Sequence, residues 1–144
     1  MSLFDAIDIS ASGLTANRTR MDVTAENLAN AETTRGANGQ PYQRQEVVLQ
    51  QIGGFGAALA GAMNQTTAAG GVQVGGIVSD PTPDQLVYDP GNPDADSKGY
   101  VKMPNVNPVN EMVDMIDESR SYESDVTAMN TAKTMYEKTL TILK

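Results

Sequence analysis

Carboxylates are the only plentiful acid–base and metal-binding side chains here: the 144 residues include 18 Asp and Glu but no Cys and no His. That composition excludes thiol nucleophiles, disulfides, Cys/His zinc sites and histidine proton transfer. Hydrolysis by carboxylates alone needs a pair of acids facing each other in a pocket. The acids of this chain fall mostly on expected helices and turns. Asp94, Asp96 and Gly99 imitate the opening of a calcium loop. However, Lys98 stands where an oxygen ligand belongs, and Asn105 replaces the bidentate Glu. A turn rich in Asp, Pro and Gly is the expectation there. Glu111, Asp114, Asp117 and Glu118 read as a solvated helix face, and Met112, Met115, Met129 and Met135 as adaptable packing. Asn64-Gln65-Thr66 matches a glycosylation sequon by chance in a polar loop. No catalytic residue, metal site or cofactor is expected, and the chain does not read as an enzyme.

Charge narrows the partners. Ten Lys and Arg leave a net charge of −8, without a basic tract. Nucleic acid and anionic membrane surfaces are poor partners for such a chain. No segment approaches the ~20 apolar residues of a membrane span, so no membrane insertion is expected. Asp5 and Asp8 interrupt the basic-then-apolar layout of a secretory signal. Apolar residues make up 40% and aromatic residues 5%, with no Trp and only Phe4 and Phe55 as Phe. Any core must be built from Ala, Val, Ile, Leu and Met.

Gly and Pro divide the chain in three. All seven Pro lie between Pro41 and Pro108, and twelve of thirteen Gly between Gly36 and Gly99. Residues 1–35 and 105–144 therefore read as helical arms around a β-rich middle domain, 36–104. The fold class expected is α+β: two long terminal helices pair as a coiled-coil-like hairpin beside a small sheet.

Each arm carries a sevenfold apolar repeat. In the first, Ile7, Leu14, Met21 and Leu28 recur, thinned by Ser10, Asn17 and Thr24 in the companion row. Ser2 and Asp5 form a weak capping box. In the last, Met115, Tyr122, Met129, Tyr136 and Leu143 recur, with Met112, Val126 and Leu140 beside them. Asn107 suits an N-cap and Pro108 the first helical position. A helix from Pro108 to Lys144 would run about 55 Å, too long for the rest of the chain to cover. These twelve residues are candidate seam and subunit-interface positions. A hairpin within one chain and contacts between chains both remain open.

In the middle, Gln45–Ile52 reads as a strand, and Val72, Val74, Ile77 and Val78 as a strand or hairpin kinked at Gly75-Gly76. Leu86–Tyr88 and Tyr100-Val101 are short strand candidates around the turn-rich Asp89–Gly99. Residues 53–70, Gly/Ala-rich and uncharged, read as a flexible loop.

The arms also carry a family's wording. Residues 12–34, SGLTANRTRMDVTAENLANAETT, resemble the N-terminal signature of flagellar basal-body rod and hook proteins. Asn27-Leu28-Ala29-Asn30 with Thr33 is its most specific part. The stretches 86–96 and 99–107, with Gly99, Tyr100, Pro104 and Asn105, are similar to proximal-rod members, as are Glu111-Met112-Val113 and Ser119–Glu123. The resemblance spans nearly the whole chain except 53–70.

It implies a structural protein that stacks helically with other rod subunits into the shaft crossing the periplasm. Neighbouring basal-body components and the flagellar type III export apparatus would be partners, and export would need no cleaved signal. The resemblance implies terminal helices that line the tube and a β-rich outer layer. A soluble coiled-coil adaptor is the alternative. Asn27 and Asn30 would cap or cross-link subunits, or simply end the helix by local hydrogen bonds.

Overall fold

Asn107 and Pro108 start the longest element as their types require. The Asn107 side chain accepts from the Val109 N–H at 3.0 Å, and its carbonyl accepts from the Glu111 N–H at 3.1 Å. In this computed structural model, which describes residues 3–36, 38–53 and 70–142, that helix runs from Pro108 to Ile142. The first helix, α1, spans Leu3–Ala29; the last, α2, is Pro108–Ile142, about 52 Å long at 1.5 Å per residue. Two antiparallel ladders lie between them. β1 (Gln45–Gln51) pairs with β2 (Val72–Ser79), and β3 (Gln85–Tyr88) with β4 (Tyr100–Met103).

The α+β class holds. Among the described residues, however, the middle forms two separate two-stranded sheets rather than one. Pro81 and Pro83, which lack N–H donors, stand in the short connection between β2 and β3, and those two strands do not pair. Gly75-Gly76 is a bulge inside one strand, not a hairpin turn. Val48 pairs with Gly76 and Leu49 with Val74, leaving Gly75 over. A Cβ on Gly75 would come within 2.5 Å of the Gln50 side chain.

The helices pair antiparallel, since successive contacts join the end of α1 to the start of α2. The β1–β2 sheet lies against α1. The Val72 N–H donates to Ser12 Oγ at 3.0 Å, fixing the start of β2 on the helix. Among the described residues, the buried apolar side chains are Ala16, Val23, Ala31, Val101, Val106 and Ala132. Three are alanines, so this core is thin. The flexible loop expected at 53–70 lies outside the described residues apart from its two ends, as do Ser2 of the capping box and Leu143 of the α2 row.

Candidate functional site: a polar seam and an inverted helix

Three acids set seven apart on α2, Glu111, Glu118 and Asp125, face α1. Seven residues are nearly two helical turns, so the three stand in one row. Each meets a donor on α1. Asn27 Nδ2 donates to Glu111 Oε2 at 3.0 Å, Thr24 Oγ1 to Glu118 Oε1 at 3.2 Å, and Asn17 Nδ2 to Asp125 Oδ2 at 2.9 Å. Arg20 Nε lies 3.4 Å from Glu118 Oε1. Gly13 makes room, for a Cβ there would sit 2.8 Å from Asp125 Oδ2. Glu111 is 1% exposed and Glu118 4%. The solvated face expected of the α2 acids is thus wrong for these two. An exposed acid has water as partner, whereas these have an amide, a hydroxyl and two guanidiniums, which make burial tolerable.

Asn27 is the hub. Its Oδ1 accepts from Tyr42 Oη and from the Gln45 N–H, both at 2.9 Å. Its Nδ2 donates to the Gln45 carbonyl at 2.9 Å as well as to Glu111. One side chain therefore ties α1, the start of β1 and α2. Burial, then the nearby Glu26 and Glu111 charges, push the Tyr42 phenol up to about 12. It stays protonated and donating.

Arg44 serves the same corner. Its Nε donates to Glu111 Oε1 at 2.5 Å, and its other nitrogens approach Glu46, Asp80 (3.8 Å) and Asp114 (3.5 Å). The hydrogen bond to Glu111 raises its pKa further. The Thr82 hydroxyl and N–H, more than Arg44, hold the Asp80 carboxyl below its usual range. The Glu118 carboxyl is pushed up by burial, against the pull of Thr24 and Arg20.

The motif residues take structural places. Asn30 Nδ2 donates to the Glu26 carbonyl at 2.9 Å and its Oδ1 accepts from Thr33 Oγ1 at 3.2 Å, so Asn30 finishes the helix locally. Leu28 is half-buried beside Asn27, and Ala29 ends α1 exposed. Asn105 repeats the Asn27 design, accepting from the Arg44 N–H at 2.7 Å and donating to the Asp80 and Thr82 carbonyls at 3.2 and 3.1 Å. Pro104 is fully buried. Gly99 has φ +81°, and a Cβ there would meet Tyr88 Cε2 at 3.0 Å. Tyr100 stacks edge-on against Tyr88 with centroids 5.3 Å apart. Asp94 receives Thr34 and Arg35, while Asp96 accepts the Lys98 and Tyr100 N–H groups. Both acids of the calcium-like stretch are engaged in turns.

The apolar repeats flank this polar row. Ile7, Leu14, Met21 and Leu28 on α1 are half-buried, as are Met115, Tyr122, Val126 and Met129 on α2. Met112, Tyr136 and Leu140 are exposed. Opposite the acids, Val109, Val113 and Ile116 are 62%, 52% and 53% exposed. The first turns of α2 are therefore inverted, with carboxylates inside and branched aliphatics outside. Sequence reasoning missed the polar row although its signal was present: Asn17 and Thr24 are seven apart, and so are Glu111, Glu118 and Asp125.

Comparison with known proteins adds a family. A family model described as flagella basal body rod protein matches residues 7–37, and one described as flagellar basal body rod FlgEFG protein C-terminal matches 97–142. Relatives carry the name flagellar basal-body rod protein FlgC. One from Escherichia coli is 48% identical over 142 residues, covering 99% of this chain and 98% of its own. One from Bacillus subtilis is 49% identical over 150 residues, covering all of both. One from Borreliella burgdorferi is 41% identical, covering 100% of this chain and 99% of its own.

Proposed function

The chain belongs to the flagella basal body rod protein family, and from that premise we propose how it serves as a structural rod subunit of the flagellar basal body. The α1–α2 hairpin packs beside those of neighbouring copies and other rod proteins in a helical tube. That tube is the proximal shaft, which transmits motor torque and encloses the export channel. The two β-sheets lie on its outside. The chain reaches its place in the periplasm through the flagellar type III export apparatus, without a cleaved signal.

One observation carries the reading: the inversion of α2. A helix that buries Glu111 and Glu118 while exposing Val109, Val113 and Ile116 is not finished within its own chain. Aliphatic stripes of that kind are covered by other subunits. A helical array uses heterologous contacts, one patch meeting a different patch on the next subunit. The half-buried rows at Ile7, Leu14, Met21 and Leu28, and at Met115, Tyr122, Val126 and Met129, supply further apolar edges for such neighbours. A chain that crosses a narrow channel unfolded also gains from a thin core, since little has to be undone.

The test is genetic and biochemical. Deleting the gene should abolish swimming, and basal bodies isolated from complemented cells should contain the chain in the rod. Swimming deletion cells with complete rods would overturn the reading.

A further inference from the structure

Glu118 keeps one carboxylate oxygen without a hydrogen-bond partner. Its Oε1 takes both Thr24 and Arg20, whereas Oε2, fully buried, has none. Glu118 lines a cavity of about 240 Å³, together with Arg20, Arg44, Glu46, Glu111 and Asp114. That volume is well above the ~10–15 Å³ that suffices for one water. Four carboxylates face two guanidiniums there, so the wall carries two negative charges more than positive. Arg44 is already engaged with Glu111 and Glu46, and reaches Asp114 only at 3.5 Å. Asp114 lies one helical turn before Glu118 and therefore on the same face. Its side chain is half exposed at the rim.

A wall of this charge suits a cation. Among the described residues no group of three or more acids is placed to hold a metal ion. A side-chain cation, with several N–H donors on one charge, suits two carboxylates a turn apart. We propose that this cavity receives one Lys or Arg side chain of an adjoining subunit, bound between Asp114 and Glu118. Burial together with the neighbouring Asp114 and Glu111 charges raises the Glu118 pKa in the lone chain; an incoming cation would lower it again. The source of the cation rests on the rod-subunit reading, whereas the cavity's affinity for it does not.

Two measurements test this. In the first, the full chain, labelled with carbon-13 at Asp and Glu, is titrated with methylguanidinium chloride at concentrations below denaturation. The Asp114 and Glu118 carboxyl signals should shift together and saturate, while exposed Asp22 and Glu123 should not. Glu118→Gln should weaken that binding about tenfold, and Asp114→Asn, a change at the rim, should weaken it with the fold kept. Unsaturated shifts shared by all carboxylates would overturn the proposal. In the second, cells express Asp114→Lys, which supplies the cation from the chain itself. The variant should be exported normally yet fall about tenfold in isolated rods. Normal rod content would overturn the subunit as source. The wild-type chain in the same preparation is the control; its absence from rods would instead overturn the rod reading and leave the titration standing.

Discussion

Asn27 uses both ends of its amide, making four hydrogen bonds to Tyr42, Gln45 and Glu111 and so tying α1 to the start of β1 and to α2. No other residue type offers two acceptor and two donor sites at that length except Gln, which is one methylene too long. Asn27→Ala would leave Glu111 short of a donor and the Gln45 N–H unpaired. We expect a loss of about 3 kcal/mol of folding stability, the scale for losing a buried hydrogen bond to a charged group and leaving a buried N–H unpaired, read from the urea midpoint. Asn27→Asp should be no better, because it sets a second carboxylate against Glu111. Glu118 gives a prediction with a definite sign. Its folded pKa lies above its unfolded value, so the charged form costs stability at neutral pH. That cost is relieved as pH falls through the folded pKa toward the unfolded one near 4.5. The stability difference between Glu118→Gln and wild type should therefore shift in favour of wild type as pH drops from 7 to 4.5. A difference that stays constant with pH would refute it.

At the scale of elements, the question is what each face of a helix is for. Val113→Asp or Ile116→Asp alters a side chain already more than half in water. The isolated chain should lose no more than about 0.5 kcal/mol, yet its content in rods should collapse. Leu14→Asp, Leu28→Asp and Leu140→Asp should also block incorporation, with export checked separately; Leu14 and Leu28, being half-buried, should cost stability too. Both helices and the four strands of the described residues were legible in the sequence, because Gly and Pro gather in the middle and apolar residues keep helical spacing outside it. The row that joins α1 to α2 was not, for a physical reason. Apolar periodicity finds a seam only when the seam is apolar, and here amides, hydroxyls and arginines meet carboxylates. The polar heptads Asn17–Thr24 and Glu111–Glu118–Asp125 held the register, but only the fold shows that they face each other. The separation of the two sheets also follows from the chain path between β2 and β3 rather than from strand propensity.

For the whole molecule, length sets the behaviour. α2 has 35 residues and α1 has 27; with Asn17 on Asp125, the first turns of α1 run beside the last turns of α2, and α2 ends only slightly beyond them. Every described side chain from Lys133 to Thr141 is exposed, including Met135 and Leu140. A helical end that buries so little side-chain surface frays, since isolated helical segments shorter than ~12–15 residues are marginal in water. The seam nearer the middle is held by buried polar pairs, whose net contribution is small, and by few apolar contacts. Hydrogen exchange should therefore divide the isolated chain by position. Amides of α2 after Ala132 should exchange nearly as fast as unfolded chain, and those around Glu111–Glu118 more slowly. In assembled rods, where neighbours cover the stripe and the far end, both groups should become protected, the far end by the larger factor. Equal protection along α2 in a confirmed monomer would mean that the helix is complete by itself, and the inverted face would then need another explanation.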